Sequence, residues 1–95
     1  MEKNTAIIVM KNTDNIGIAI RKIGKGETVT DAKESVSIQT LEEIPFGFKV
    51  AVRYIEPDAI VYKYGEPIGK ATSAISPGQM VHVHNIGGLR GRGDL

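Results

Sequence analysis

The chain has no cysteine and no tryptophan among its 95 residues. The first absence removes disulfides, thiolate metal sites and a cysteine nucleophile together. Aromatic residues are scarce, at 5%, so little surface exists on which nucleic-acid bases could stack. An excess of one charge is missing too: 12 Lys and Arg stand against 11 Asp and Glu, for a formal charge of +1. A general nucleic-acid binder needs a basic stripe that displaces counterions from phosphates, so nucleic acid is not an expected partner. Long apolar runs are absent as well. The longest, Ala6–Met10, is far too short to cross a bilayer or serve as a secretory hydrophobic region. The expectation is a protein of the reducing cytoplasm with no membrane partner. No window sustains apolar spacings of three and four over the ~10 to 12 residues that a helix needs.

What the sequence does have is turn chemistry and alternation. Eleven glycines and four prolines fall mostly in short clusters: Gly24-Lys25-Gly26, Ile44-Pro45-Phe46-Gly47, Glu56-Pro57-Asp58, Tyr64-Gly65-Glu66-Pro67 and Ser76-Pro77-Gly78. Glycine supplies positive φ, proline presets φ, and Asx side chains close turns on their own backbone. Between these clusters lie period-2 stretches around Ile16–Ile20, Val36–Ile38, Phe48–Val52 and Val81–His84. They predict a mainly β domain of short, strongly bent strands with at most single helical turns. A spacing also recurs. Ala19, Ile23, Gly26 and Val29 are matched by Ala51, Ile55, Asp58 and Val61, and again by Ala71, Ile75, Gly78 and Val81. It reads as one local device used three times: a small residue ends a strand, an isoleucine is buried, and a bend returns the chain. Residues 1–86 are read as the domain. Residues 87–95, rich in glycine, are read as a tail that is mobile or orders only against another surface.

His82-Val83-His84-Asn85 is the sharpest local signal. In a strand, residues i and i+2 share a face, which would set the two imidazoles about 7 Å apart at Cα. Such a pair suits two ligands of one divalent metal, a general acid beside an orienting donor, or simply a solvated strand face. There is no third histidine, so further ligands must be carboxylates or come from another chain. Lys63-Tyr64-Gly65-Glu66 gathers a cation, a phenol and a carboxylate at one bend, able to hold a polyhydroxylated acid or merely to be solvated. Lys49 and Arg53 read mainly as residues that keep a strand soluble, with an anion contact as the alternative. Glu42 and Glu43 are adjacent and point apart in extended chain, so they make no acid–base couple. Gly24-Lys25-Gly26 lacks the spacing of a phosphate-cradling loop. Arg92-Gly93-Asp94 resembles an adhesion tripeptide, but no sign of export accompanies it.

In combination, Asp14-Asn15-Ile16-Gly17, Ile44-Pro45-Phe46-Gly47, Lys63-Tyr64-Gly65-Glu66-Pro67-Ile68-Gly69 and His82-Val83-His84-Asn85 resemble the small subunit of split altronate dehydratases. This is the SAF domain of the altronate/galactarate dehydratase family. The resemblance runs over nearly the whole chain and implies a β-clip fold and a hydro-lyase that turns a sugar acid into a 2-keto-3-deoxy acid. It further implies a divalent metal (ferrous iron, with manganese as the alternative), a large dehydratase subunit as partner, and inactivity of the small chain alone. A homo-oligomer is a further arrangement it leaves open. His82 and His84 are then the expected catalytic and metal-binding residues, with Lys63, Tyr64, Glu66 and Asn85 on the substrate. A sulfolactate sulfo-lyase subunit and a non-catalytic sugar-binding or assembly module are the rival readings. One departure stands out: relatives usually read Pro-x-Gly-His-Lys where this chain reads Pro45-Phe46-Gly47-Phe48-Lys49, and a phenyl ring neither binds metal nor moves a proton.

Overall fold

Among the described residues no strand exceeds six residues before the chain must turn. The computed structural model describes residues 4–88. Across them run β1 (Thr5–Ile8), β2 (Ile16–Ala19), β3 (Thr28–Asp31), β4 (Ser37–Gln39), β5 (Lys49–Ala51), β6 (Ile60–Lys63), β7 (Glu66–Ala71), β8 (Met80–Val81) and β9 (Ile86–Gly87), with no helix among the described residues. The mainly β expectation holds. No helix long and apolar enough to cross a membrane occurs among the described residues.

The strands form a six-stranded sheet, ordered β4-β3-β1-β2-β5-β8, and a three-stranded sheet, ordered β6-β7-β9. β1 is parallel to β3 and antiparallel to β2; β2 is antiparallel to β5, and β5 to β8. Thus β1, β3 and β5 all end at one edge of the sheet, whereas β2 and β8 end at the opposite one. That polarity decides which loops meet. Gly87 pairs with Lys70, so β9 takes in one residue read from composition as tail. The rest of that tail beyond Gly88, with the adhesion-like tripeptide, lies outside the described residues.

The recurring spacing is real, and the structure uses it four times. The extra copy is Thr40, Ile44, Gly47 and Val50, which the sequence hides because threonine replaces alanine at its head. All four heads are buried, and Ile23, Ile44, Ile55 and Ile75 are fully buried. Gly26, Gly47, Asp58 and Gly78 all have positive φ, between 71° and 92°. This is the third-residue conformation of a type II turn, in which glycine is strain-free. Each turn is closed by a bond across it, such as Gln79 N–H to the Ser76 carbonyl at 3.0 Å.

The copies interlock in pairs. Ile23 and Ile44 exchange both backbone bonds at 2.9 Å, as do Ile55 and Ile75 at 2.8 and 2.9 Å. In each pair the bend residue donates to the head of its mate: Gly26 to Thr40, Gly47 to Ala19, Asp58 to Ala71 and Gly78 to Ala51. The chain is therefore an internal duplication, with copies one and two in its first half and three and four in its second. Two apolar clusters follow the paired bends, one around Ile23, Ile44 and Val50 and one around Ile55, Val61 and Ile75, with Val52 crossing into the first and Ile16 into the second. The first bend has an added lock. The Glu27 carboxylate accepts from the Arg21 guanidinium at 2.9 Å and from Gly24 N–H at 2.7 Å. These donors, Arg21 foremost, bring its pKa down from 4.5 to about 2.

Candidate functional site

β8 stops at Val81 because Asn85 closes the chain on itself. The Asn85 Oδ1 accepts His82 N–H at 2.9 Å, and its Nδ2 donates to the Met80 carbonyl at 2.9 Å. The N–H groups of Asn85 and Ile86 both reach the His82 carbonyl, at 3.0 and 3.1 Å. Residues 82–85 are thus a turn, and the expected strand through His84 does not form. The alternation of Val81, His82, Val83 and His84 imitates a strand, but an asparagine able to satisfy two backbone groups overrides it. His82 and His84 do not stand as neighbours on a pleated face. Both are exposed, flanking Val83, which is 81% exposed at the tip. Asn85 is only 2% exposed, with both amide atoms spent inside the turn. It holds the turn that presents the histidines, with one bond at each amide atom directed to the backbone.

The turn is pinned on its far side as well. Thr72 N–H donates to the Asn85 carbonyl at 3.0 Å, and Ile86 pairs with Ala71. β7 and β9 approach so closely that a Cβ on Gly69 would lie 2.5 Å from the Gly87 carbonyl oxygen. Beside the turn lies a groove of about 260 Å³ lined by Lys49, Ile68, Val81, His82, Ile86 and Gly87, among others. Lys49 pairs with Val81, so the next position outward places Phe48 opposite His82. Their ring centroids are 5.0 Å apart, tilted by 41°. The position at which this chain departs from the Pro-x-Gly-His-Lys pattern therefore touches the histidine turn. Lys49, read from sequence as a solubilising residue, is the cation lining this groove among the described residues. Only the β5–β8 pairing reveals that.

The Lys63–Glu66 bend is a hairpin turn. Tyr64 and Gly65 have φ of 56° and 77°, the pair of positive values that a two-residue turn needs to match strand twist. A buried carboxylate holds it. Asp14 accepts from Tyr64 N–H at 2.9 Å, Gly65 N–H at 2.7 Å and Lys11 N–H at 3.2 Å. Asn15 clamps the same hairpin lower down, bonding the Ile60 carbonyl and Tyr62 N–H. The Lys63 ammonium lies 5.1 Å from the Tyr64 ring centroid. Glu66 and Ala71 are the two ends of β7, about 16 Å apart at roughly 3.3 Å per residue. The structure therefore does not bring Lys63, Tyr64 and Glu66 to the histidines of the same chain. Replacing Asp14 by alanine strands three backbone donors, each costing about 1–3 kcal/mol when left unpaired. Partial rescue by water leaves an expected loss of about 3 kcal/mol, read from the urea midpoint. An unchanged midpoint would show that the hairpin is held by other contacts.

Among the described residues no three His, Cys, Asp or Glu side chains are grouped so as to hold a metal ion. This chain's imidazoles offer at most part of a donor set, short of the three or four protein ligands typical of metal sites.

Taken together, these features define a small, strongly bent all-strand module with its only two histidines on one exposed turn. The chain belongs to the altronate/galactarate dehydratase SAF domain family, whose model matches residues 5–88. It is 39% identical over 80 residues to an altronate dehydratase of Bacillus subtilis, covering 84% of this chain but 16% of that protein. It is 35% identical over 72 residues to an altronate dehydratase of Escherichia coli, covering 76% of this chain and 14% of that protein. The (2R)-sulfolactate sulfo-lyase subunit alpha of Chromohalobacter salexigens is 30% identical over 84 residues, and here the match covers 83% of this chain and 89% of the relative. The chain thus spans about a sixth of the altronate dehydratases and nearly all of the sulfo-lyase subunit.

Proposed function

We propose that this chain is the small subunit of a lyase acting on a 2-hydroxy carboxylate, and that it lends its histidine turn to an active site completed by a larger polypeptide. The observation that carries the reading is the turn itself: two exposed imidazoles, held by an asparagine bonded to the backbone on both sides, beside a groove that among the described residues has one cation. That groove, at about 260 Å³, lies on the surface of one small module beside an exposed turn. A second surface is needed to enclose a substrate.

The chemistry is elimination. A base removes the proton at C2, next to the carboxylate, and the group on C3 departs with its electron pair as the C2–C3 double bond forms. In a sugar acid the leaving group is hydroxide, which takes up a proton and leaves as water; the enol product then becomes a 2-keto-3-deoxy acid. Lys49 suits the substrate carboxylate, and His82 or His84 suits the proton transfers, since an imidazole has one nitrogen that accepts a proton and another that donates one. Phe48 transfers no proton, so the imidazoles this chain can bring to the reaction are the two on the turn. If a divalent metal such as ferrous iron binds at the shared site, His82 and His84 are the donors this chain has to offer, and the ion would stabilise the enediolate charge. Lys63, Tyr64 and Glu66 have no part in this site within one chain.

Altronate-type dehydration is the principal reading, supported by the family and by the identity to two altronate dehydratases. Sulfolactate cleavage is the second. It shares the elimination step with sulfite as the leaving group, and it is favoured by the near-complete coverage of the sulfo-lyase subunit. Co-expression with a large dehydratase-type subunit, followed by assays on altronate, galactarate and sulfolactate, tests both. Turnover is expected only from the co-purified pair. Turnover by this chain alone, or none with any of the three acids, would overturn the proposal.

A further inference from the structure

The edge of the six-stranded sheet opposite the histidine turn is a different environment. β1, β3 and β5 run in the same direction, so the segments that follow them leave from one edge. They bring Lys11, Lys33 and Arg53 together around a cleft of about 260 Å³ that also involves Asn12, Asp31 and Ser35. Each segment is built into place. Lys11 N–H is held by the Asp14 carboxylate, and the Arg53 guanidinium donates to the Asn12 carbonyl at 3.3 Å. The turn bearing Lys33 closes on Asp31, which accepts Ser35 Oγ–H at 2.7 Å and Val36 N–H at 3.0 Å.

The charge there is unbalanced. Among the described residues the ion pairs are Arg21–Glu27 and Lys22–Glu43, and none of the three cleft cations takes part in one. Among the described residues Asp31 is the single carboxylate lining the cleft. Burial raises its pKa, but the bonds from Ser35 and Val36 outweigh burial and lower it overall. It stays ionised with its oxygens engaged, leaving three positive charges against one negative. A second cleft, of about 300 Å³, adjoins the first through Val9, Met10, Asp31 and Lys33 and is walled by Ile7 and Ile8. Its apolar wall is open: Met10 is 57% exposed.

We infer that this edge is a binding site for a small organic anion whose oxyanion head meets Lys11, Lys33 and Arg53 and whose apolar body lies along Ile8 and Met10. The site is separate from the histidine turn, because His82 follows β8, which ends at the other edge, and the two clefts share no lining residue. It therefore stands or falls independently of the proposed lyase chemistry, and it fits an effector better than the substrate of that reaction. The arginine fork suits a planar carboxylate, and the lysines add charge at the rim.

The test is titration of the full-length, isotope-labelled chain with hexanoate and with inorganic phosphate, followed by amide chemical shifts at constant ionic strength. Saturable shifts are expected at Met10, Lys11, Lys33, Val36 and Arg53, with hexanoate the tighter ligand. Lys33→Gln is expected to weaken hexanoate about tenfold, in line with loss of one charge-assisted contact. The triple variant Lys11→Gln, Lys33→Gln, Arg53→Gln is expected to abolish binding. All three positions are exposed, and a preserved amide spectrum confirms that the fold survives. Equal shifts at Lys22, Lys25 and Lys70, binding retained by the triple variant, or phosphate matching hexanoate would each overturn the inference. So would a response only to an acidic peptide such as hexaglutamate, which would make the edge a protein-docking surface.

Discussion

Replacing His82 and His84 together by alanine is expected to remove activity from the assembled enzyme while leaving this subunit folded and able to join its partner. Both side chains are exposed and their imidazoles lie outside the two apolar clusters. Exposed substitutions of this kind usually shift stability by less than about 0.5 kcal/mol. Loss of a general acid or base costs about 10²- to 10⁴-fold in rate, so the activity effect should exceed the stability effect by several kcal/mol on the same scale. The single variants separate the two roles. The histidine that moves a proton should reshape the pH–rate profile, whereas one that only orients substrate should raise KM. Full activity of the double variant, with the complex intact by gel filtration, would remove the turn from the mechanism. The Phe48→His variant adds a second reading. It restores an imidazole facing His82 across β5 and β8, and a change in its pH profile would show that position 48 reaches the reacting atoms.

The largest expected effect on the fold itself comes from Gly78→Ala. A Cβ there would lie 2.1 Å from the Gln39 carbonyl oxygen, and φ is +92°. The obstructing atom is backbone, and the Gly78 carbonyl on the same residue accepts Leu41 N–H at 2.9 Å. Neither side can yield without parting the two halves of the molecule. Gly26 has nearly the same φ, +84°, yet a Cβ there meets nothing within 4 Å. Gly26→Ala should thus cost only the left-handed backbone penalty, about 1–2 kcal/mol. Gly78→Ala adds the clash and should cost about 4 kcal/mol or more, a large share of the 5–15 kcal/mol typical of a domain. Urea denaturation of the two variants side by side separates strain from contact. Equal losses would mean that the Gln39 strand moves aside freely.

Much of the scaffold was legible before any coordinates, because its rules are local. Period-2 alternation marked β2, β4 and β5, and the 4-3-3 spacing marked three of the four bends. The fourth was hidden by Thr40, whose hydroxyl donates to the Gly24 carbonyl at 2.6 Å; a polar residue stands where the pattern asks for a small apolar one. The site was harder to read, for two physical reasons. At Val81–Asn85, alternation and turn chemistry compete within five residues, and only the Asn85 bonds to Met80 and His82 reveal the winner. In addition, whether Lys49 faces the histidines, or Arg53 faces Lys33, is fixed by the directions of β5, β8 and β3. Pairing direction is a non-local property that composition and spacing do not encode.

The interlocked bends have a consequence for how such a chain can diversify. Backbone closure consumes the four heads, the four isoleucines and the four bend residues, whereas the proposed chemistry sits on the segments between them: the Asn85 turn, the run after β1 and the loops after β3 and β5. Architecture and ligand preference are thus inherited through largely separate sets of positions. A lineage can exchange one small acid for another by editing those four stretches, while the duplicated frame that presents them goes untouched.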